Sequence, residues 1–538
     1  MVFARRSTTL LAAIIASCAM VLSLTACTSD NKTVVDGQTT VTSNSAGGVA
    51  VFTPSDGITL NQQTPLNKWA KLVPDLTKAL ADAGFKKGDI NHTTSDSLDK
   101  QSRAIQDFVV DHLSNNTTDD SGIAIAPDNM TLLVAPVVEA DASTRQYGDY
   151  VSQNLSTNDA TDGEATSDGE SSEDDSSNTE SDSTASDEQA QAVDRLVSSL
   201  KLAKESGMHV VLLGNSIEGY KPDAFVKFSD AQTIGKLQAE KMVSKLKLDK
   251  ASKDNPKYIE VLLPYTAVDE KGNANDSTFA QEAFRGIWQV LGSYYQKGVV
   301  ESPSGTLDGK STENDWQAVA YDAAKEGSTA KVLDKRLAKT DGQSTLTRID
   351  GIITMNDYIA SEVVKELDDL GYTGSAADIN PQITISGIVG NITGKKDLSR
   401  DAVPDPIKSP ENDNANDSSS SDDDADEDTS ASDKDRDSQW PLVTGYGAYV
   451  SNIPSIVNGK QWMTGMEDRQ TIATDIAQAC AKLNKDEALN SMPSIRSSEV
   501  GGVKKIPTIS EPLLAVSASN LKSALIDPGY ISLADAGL

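Results

Sequence analysis

Residues 351–357 read Gly-Ile-Ile-Thr-Met-Asn-Asp, and this stretch decides the fold. Its short apolar part, 351–355, predicts a buried strand. The residues that follow, 358–371, carry apolar side chains at helical spacing and predict an amphipathic helix that ends near Gly371. A buried strand followed directly by a helix is the unit from which helix-covered parallel sheets are built.

The same alternation of short apolar runs and amphipathic segments recurs on both sides of this stretch. Apolar runs predict strands at 49–52, 130–134, 210–213, 259–263 and 384–387. Helical spacing predicts helices over 69–80, 190–206, 231–246, 278–298, 316–333 and 469–483. The pattern is typical of an α/β protein, and the roughly 400 residues outside the leader and the polar tracts favour two lobes over one.

The N-terminus predicts export. Arg5-Arg6 precede an apolar run over 10–24 that suits a signal peptide and is too short for an ordinary spanning helix. At its end, Leu24-Thr25-Ala26-Cys27 resembles the bacterial lipobox, in which the cysteine thiol is acylated and becomes the first residue. We expect a signal peptide over 1–26, a lipid on Cys27 and a flexible tether over 27–48. A plain secretory signal and an uncleaved anchor are the alternatives, and the export route expected is Sec rather than twin-arginine.

The net charge of −32 is concentrated in two polar tracts. Residues 157–189 contribute −12 and residues 411–438 contribute −10, so the remainder is near −10. Such tracts bury too little apolar surface to offset the entropy of ordering, and they predict two disordered acidic insertions at the surface. The acidic run 422–428 lacks the glycine turn and closing glutamate of an EF-hand, so we expect loose cation screening there and no specific metal site.

Few residues offer reactive chemistry. The cysteines are Cys18 in the leader, the proposed lipid site Cys27, and Cys480, which excludes a disulfide framework. The three histidines, His92, His112 and His209, have no partner at metal-ligand spacing. Nucleophile-elbow, metalloprotease, P-loop and dinucleotide motifs are absent from strand-to-helix positions. The sequence therefore predicts no catalytic residues, no metal and no cofactor.

Several segments carry a family resemblance. The first is 352–357, Ile-Ile-Thr-Met-Asn-Asp, with Leu370-Gly371-Tyr372 after its helix. The others are 226–230 (Val-Lys-Phe-Ser-Asp) with 234–239 (Ile-Gly-Lys-Leu-Gln-Ala), 458–464 (Asn-Gly-Lys-Gln-Trp-Met-Thr), and 511–532, which begins Glu-Pro and ends Gly-Tyr-Ile-Ser. Their order and spacing resemble the solute-binding lipoproteins of sugar ABC transporters, the type I periplasmic binding proteins, and within them the xylose-binding branch. The match spans 49–538, interrupted by the two acidic insertions.

The resemblance implies two Rossmann-like lobes of parallel sheet joined by a hinge. The implied boundaries are an N-terminal lobe over 49–229 containing the insertion 157–189, a C-terminal lobe over 230–389, a return crossing over 390–457 containing the insertion 411–438, an N-terminal lobe helix over 458–500, and a hinge strand and tail over 501–538. In open sheets of this kind, ligands bind at the carboxyl ends of the strands.

In such receptors the lobes close around a sugar, aromatic rings stack on it, and polar side chains bind its hydroxyl groups. The resemblance and the strand-end rule give these ligand-binding candidates: Lys68, Trp69, Asn215, Asp230, Trp316, Asn356 and Asp357. For Trp69 and Trp316 the alternative is core packing, and for the pair Asn356 and Asp357 it is capping of the helix that follows.

The chain also departs from the family pattern. Lys68 replaces an arginine, so a point charge stands where a bidentate donor is expected. Asn215-Ser216 replaces an Asp-Arg pair, and 388–391 (Ile-Val-Gly-Asn) lacks the expected carboxylate at Val389. An unmet buried hydroxyl costs about 1–3 kcal/mol, so these changes should shift or abolish monosaccharide recognition.

Two functions of different class follow. The first is an extracytoplasmic receptor, a lipid-anchored monomer on the extracellular face of the plasma membrane, that binds a carbohydrate or related polyol and delivers it to the membrane permease of an ABC importer. The alternative is a degenerate binding-protein fold that serves as a surface interaction or sensing lipoprotein without sugar transport. Nucleic acid is not an expected partner, because the related repressors need a DNA-binding headpiece where this chain has an export signal.

Overall fold

The computed structural model describes residues 32–35, 38–41, 46–55, 65–115, 129–138, 144–157, 180–268, 275–338, 346–377 and 440–538. The chain divides into two compact units, Met1–Ser45 and Ala46–Leu538. In the first unit, β1 (Lys32–Val35) pairs antiparallel with β2 (Gln38–Val41). The sequence predicts a flexible tether over 27–48, and the structure has two short strands there instead. Threonine and valine, which favour strands, make up most of both segments. The predicted signal peptide and Cys27 lie outside the described residues.

The second unit contains the α/β elements. Its strands are β3 (Gly48–Pro54), β4 (Ile90–Ser95), β5 (Met130–Val134), β6 (Asn154–Leu155), β7 (His209–Leu213), β8 (Ser216–Ile217), β9 (Ala224–Lys227), β10 (Lys257–Val261), β11 (Leu263–Pro264), β12 (Val300–Glu301), β13 (Ala320–Tyr321), β14 (Gly351–Ile353), β15 (Leu442–Tyr446), β16 (Met463–Met466), β17 (Ile495–Val500), β18 (Val503–Ser510) and β19 (Leu514–Ser517). Its helices are α1 (Trp69–Asp82), α2 (Leu98–Asn115), α3 (Glu180–Glu205), α4 (Ala231–Leu246), α5 (Thr278–Gln296), α6 (Trp316–Val319), α7 (Ser328–Arg336), α8 (Asp357–Asp369), α9 (Ile453–Val457) and α10 (Arg469–Leu483).

The N-terminal lobe is built on a sheet in the order β4-β3-β5-β7-β9-β18-β17. All neighbours are parallel except β17 and β18. The central strand β5 is buried at every position, because helices cover both faces of a parallel sheet. One face packs against α1 and α10, and the other packs against α2 and α3.

The C-terminal lobe is built on a second sheet in the order β12-β10-β14-β15-β16-β19. Its strands are parallel except for the edge strand β19, which runs antiparallel to β16. The helices α4 and α5 cover one face, and α7 and α8 cover the other. Glycine lets α4 and α5 approach closely: a Cβ atom on Gly286 would lie 2.0 Å from the carbonyl oxygen of Gln232.

The chain passes between the lobes three times. The first crossing follows β9, the second lies between β16 and α10, and the third lies between β18 and β19. The first lies between β9, which ends at Lys227, and α4, which begins at Ala231, and the predicted lobe boundaries stay predictions. The second lies at 467–468 and not within 390–457, because β15 and β16 both belong to the C-terminal sheet. The segment assigned to an N-terminal lobe helix over 458–500 therefore begins with a C-terminal lobe strand.

The predicted fold class, α/β with two Rossmann-like lobes of parallel sheet, is confirmed. The single helix predicted over 316–333 is wrong: α6 ends at Val319, β13 pairs with β11, and Gly327 at φ 71° precedes α7. Helix α3 begins at Glu180, ten residues before the predicted start at residue 190 and inside the acidic insertion expected over 157–189. Residues 158–179, the insertion 411–438, the predicted strand 384–387 and Val389 lie outside the described residues. None of the helices in the described ranges is long and apolar enough to span a bilayer.

Candidate functional site: the interlobe cleft

The carboxyl ends of both parallel sheets border one space between the lobes. In the N-terminal lobe, Asn215 follows β7 and Ser229 follows β9. In the C-terminal lobe, Asn356, Tyr449 and Glu467 follow β14, β15 and β16. We call the space bordered by these five residues the interlobe cleft. The strand-end rule places a ligand at this position.

The chain itself fills this cleft. Residues 144–153, which we call the cleft segment, come from the long connection between β5 and α3. On the C-terminal side, the side-chain oxygen of Gln146 accepts a hydrogen bond from Asn356 Nδ2 at 3.1 Å, and its carbonyl oxygen accepts one from Tyr449 Oη at 2.7 Å. The Tyr147 ring lies 4.6 Å from the Phe279 ring and is 1% exposed.

The cleft segment contacts the N-terminal lobe through its second half. The carboxylate of Asp149 accepts hydrogen bonds from Lys68 Nζ at 2.7 Å and from the backbone N–H of Trp69 at 3.1 Å. The Tyr150 ring packs on the Trp69 ring at 5.1 Å and stacks on the Phe228 ring at 4.8 Å. The segment is therefore fixed to both lobes by hydrogen bonds and by aromatic packing.

Four of the seven candidate ligand residues contact the cleft segment: Lys68, Trp69, Asn215 and Asn356. Asn215 accepts a hydrogen bond from the backbone N–H of Gln153 at 2.9 Å and donates one to the carbonyl oxygen of Pro136 at 2.9 Å. The structure brings these four residues together around one segment, and the polar groups that are predicted to meet a ligand are paired with the protein's own chain.

Two other candidates lie apart from the segment. Asp230 caps the N-terminus of α4 by accepting from the backbone N–H of Thr233 at 2.7 Å, and it pairs with Lys227 Nζ at 2.8 Å. The Trp316 ring is 9% exposed and packs edge-on against Tyr265 at 5.1 Å. Trp316 is therefore packed in the core, which is the alternative to a role in stacking on a sugar.

Asp357 holds the turn that follows β15. Its carboxylate is fully buried and accepts hydrogen bonds from the backbone N–H of Tyr449 at 2.9 Å, from Gln461 Nε2 at 2.7 Å and from Thr464 Oγ1 at 2.9 Å. Burial raises the pKa of Asp357 to about 6, although these hydrogen bonds oppose the rise. Its neighbour Asn356 caps α8 by accepting from the backbone N–H of Ile359 at 2.9 Å. Asp357 therefore positions Tyr449, which in turn binds the cleft segment.

Glu467 joins two of the interlobe crossings. Its Oε1 accepts a hydrogen bond from the backbone N–H of Ser229 at 2.6 Å and lies 3.4 Å from Tyr446 Oη, which also pairs with the Ser229 hydroxyl. The side chain is buried, and burial raises the pKa of Glu467 to about 7 from its ordinary value of 4.5. The carboxyl group is therefore partly protonated near neutral pH.

Glu467→Gln is expected to change how stability depends on pH. A raised folded-state pKa means that the folded chain binds more protons between about pH 4.5 and 7, so the wild-type free energy of unfolding falls as pH rises through this window. The stability advantage of wild type over the variant should shrink by an amount on the order of 3 kcal/mol from pH 4.5 to 8. Urea titrations at several pH values measure it. Glu313→Gln, at an exposed position, is the control and should leave the slope unchanged; a Glu467→Gln slope equal to that of wild type would contradict the assignment.

The sequence interpretation missed the cleft segment and the tyrosines around it. One signal was available: Gln146-Tyr147-Gly148-Asp149-Tyr150 places two aromatic residues in an otherwise polar stretch. Gly148 has φ 99°, and a Cβ atom there would lie 2.6 Å from the carbonyl oxygen of Asn67. Glycine is therefore required for the close approach of this segment to the first lobe.

The site shows no arrangement for metal chemistry. Within the part of the chain that the structure describes, no group of three or more histidine, cysteine, aspartate or glutamate residues could hold a metal ion. The groups present can donate and accept hydrogen bonds and can pack aromatic rings.

Comparisons with known proteins give the following. No family model matches the chain, and no curated protein matches it. An ABC transporter solute-binding protein from Clostridium phytofermentans with bound β-D-glucose is 17% identical with a TM-score of 0.45, and the match covers 91% of this chain and 99% of that chain. A carbohydrate transporter solute-binding protein from Chloroflexus aurantiacus in complex with D-glucose is 18% identical with a TM-score of 0.42, covering 92% and 98%. An ABC transporter periplasmic solute-binding protein from Actinobacillus succinogenes with bound D-allose is 10% identical with a TM-score of 0.40, covering 89% and 99%.

Proposed function

We propose that this chain is an extracytoplasmic solute-binding protein that takes a carbohydrate or related polyol into the interlobe cleft. One observation carries the proposal: the pair Lys68-Trp69, Asn215 and Asn356 come from three separate parts of the sequence, and all of them contact the cleft segment between the two lobes. Amides, an ammonium group and aromatic rings are the groups that bind sugar hydroxyls and sugar faces.

The wider setting follows from the N-terminus. A lipid on Cys27 would hold the monomeric receptor on the extracellular face of the plasma membrane, within reach of the permease of an ABC importer. Closure of the lobes on the ligand would present the loaded form to that partner. No reaction is proposed.

The alternative function has an observation of its own in its favour. The amides of Asn215 and Asn356 already make hydrogen bonds within the protein, and Tyr147 occupies space between the lobes. A chain that keeps this arrangement permanently would be a surface interaction or sensing lipoprotein that does not transport sugar.

Titration calorimetry distinguishes the two functions. The chain from residue 28 onward would be titrated with a panel of pentoses, hexoses and polyols, and thermal unfolding would be followed with each compound. A receptor gives heat and a raised unfolding temperature with at least one member of the panel. If no compound of the panel gives heat and none raises the unfolding temperature, carbohydrate binding is refuted.

A substitution at Asn356 then locates the site. Asn356→Asp keeps an oxygen that caps α8 and removes the amide donor that faces Gln146. We expect it to weaken sugar binding about tenfold or more, as loss of a buried hydrogen bond does. Asn314→Asp, which adds the same charge at an exposed position, should leave the affinity unchanged.

A further inference from the structure

We propose that the cleft segment, residues 144–153, is a resident occupant of the ligand site that holds the two lobes together when no solute is bound. The segment makes main-chain and side-chain contacts with both lobes. Gln146 and Tyr147 contact the C-terminal lobe, and Asp149 and Tyr150 contact the N-terminal lobe. Separation of the lobes must break one of these two sets of contacts.

The contacts of the segment are those that a polar ligand would make. Its amide, carboxylate and backbone groups bind Asn356, Tyr449 and Lys68. Its two tyrosine rings, each 1% exposed, pack into the cores of the two lobes, Tyr147 on the C-terminal side and Tyr150 on the N-terminal side. A solute that bound Asn356 and Lys68 would have to lie where Gln146 and Asp149 now lie, so the segment and the solute compete for the same space.

A second observation indicates that the occupant does not satisfy the cleft completely. Asn67 is 1% exposed, and its side-chain Nδ2 has no hydrogen-bond partner among the described residues. The same residue accepts the backbone N–H of Asp149 at 2.8 Å through its carbonyl oxygen, so it lies against the segment. An unpaired buried donor costs free energy, and a hydroxyl group of an entering solute could relieve that cost.

The segment is also attached in a way that permits release. In the described part of the connection, secondary structure is limited to the short helical turn Arg145–Tyr147 within the segment and the two-residue strand β6 beyond it. Single backbone hydrogen bonds also join the segment to the N-terminal lobe, from the Ser152 N–H to the Ser229 carbonyl oxygen and from the Ser216 N–H to the Gln153 carbonyl oxygen. The segment belongs to neither main sheet. Its withdrawal would leave the strand order of both lobes unchanged. That the competing solute is a carbohydrate rests on the proposed function; that the segment holds the lobes together does not.

The test uses the chain from residue 28 onward with the double substitution Gln146→Ala and Tyr147→Ser. Small-angle X-ray scattering without solute should show a larger radius of gyration than wild type, because the contacts to the C-terminal lobe are lost. Tyr449→Phe removes only the hydrogen bond to the Gln146 carbonyl and should shift scattering in the same direction by less. Tyr294→Ser, which removes a partly exposed tyrosine that binds Asp249, is the matched control and should scatter like wild type.

The outcomes separate this inference from the proposed function. Expansion of the double variant with a retained cooperative unfolding transition supports the inference that the segment holds the lobes together. Any panel sugar that binds wild type should then bind the variant about tenfold more tightly, because the state in which the segment blocks the site is less populated. Unchanged scattering in both the double variant and Tyr449→Phe overturns the inference. Failure of the proposed function appears differently, as the absence of heat with every sugar for wild type and for the expanded variant alike.

Discussion

Arg336→Met should lower the free energy of unfolding by about 3–5 kcal/mol, because it leaves a buried carboxylate unpaired. Glu260 and Arg336 form an ion pair at 3.3 Å whose side chains are 0% and 8% exposed. The guanidinium also donates to the carbonyl oxygens of Val261 and Val319. It therefore connects β10, the end of α6 and its own helix α7. Urea denaturation followed by circular dichroism measures the change.

Two further variants test whether the unpaired carboxylate of Glu260 causes this loss of stability. Glu260→Gln combined with Arg336→Met removes the charge while keeping an oxygen for the Ser302 hydroxyl and the Ser304 backbone N–H, so it should be more stable than Arg336→Met alone. Lys78→Met removes an exposed ion pair to Asp82, with side chains 78% and 66% exposed, and should keep the free energy of unfolding within a small range around the wild-type value. Arg336→Met within that same small range would show that the pair is hydrated in solution.

Trp69→Ala should cost about 3–5 kcal/mol of stability, as removal of a buried aromatic ring usually does. The ring is 2% exposed and meets Tyr150 and Phe228 edge to face, at 5.1 and 5.7 Å. The loss removes core packing of the N-terminal lobe and the platform on which the cleft segment lies. Thermal and urea unfolding measure it.

A smaller aromatic ring provides the control. Trp69→Phe keeps an aromatic platform and should lose clearly less stability than the alanine variant. If the Trp69 ring were instead exposed as a stacking surface for sugar, both variants would be as stable as wild type. They would then differ from wild type only in ligand affinity. That result would contradict the buried position of Trp69.

The fold could be predicted because local patterns agree with tertiary structure along most of the chain. The helix predicted over 231–246 has those bounds in the structure, since Asp230 caps it and its apolar spacing is regular. Helix α10 likewise begins after a capping aspartate, Asp468. The prediction over 316–333 failed because the pairing of β13 with β11, a long-range contact, overrides local helix propensity.

The site could be predicted only in part. The strand-end rule predicts Asn215 and Asn356 as ligand residues, because each follows an apolar run closely, and both lie at the interlobe cleft. It could not find Gln146, whose hydrogen bond to Asn356 joins residues 210 positions apart, and the polar cleft segment has no periodicity that predicts burial. Asp357 follows the same strand but faces Gln461 and Thr464, and no sequence spacing indicates which neighbour of a helix cap turns inward.

Hydrogen exchange tests whether residues 144–153 occupy the interlobe cleft when no ligand is bound. In the ligand-free chain, the backbone N–H of Asp149 donates to the Asn67 carbonyl and that of Gln153 donates to Asn215 Oδ1, at 2.8 and 2.9 Å. Exchange of these amides should be slower than the rate of an unstructured peptide by at least about a hundredfold, as expected for hydrogen-bonded groups that exchange only when the segment opens. Exchange at the unstructured rate in the ligand-free chain would contradict the claim.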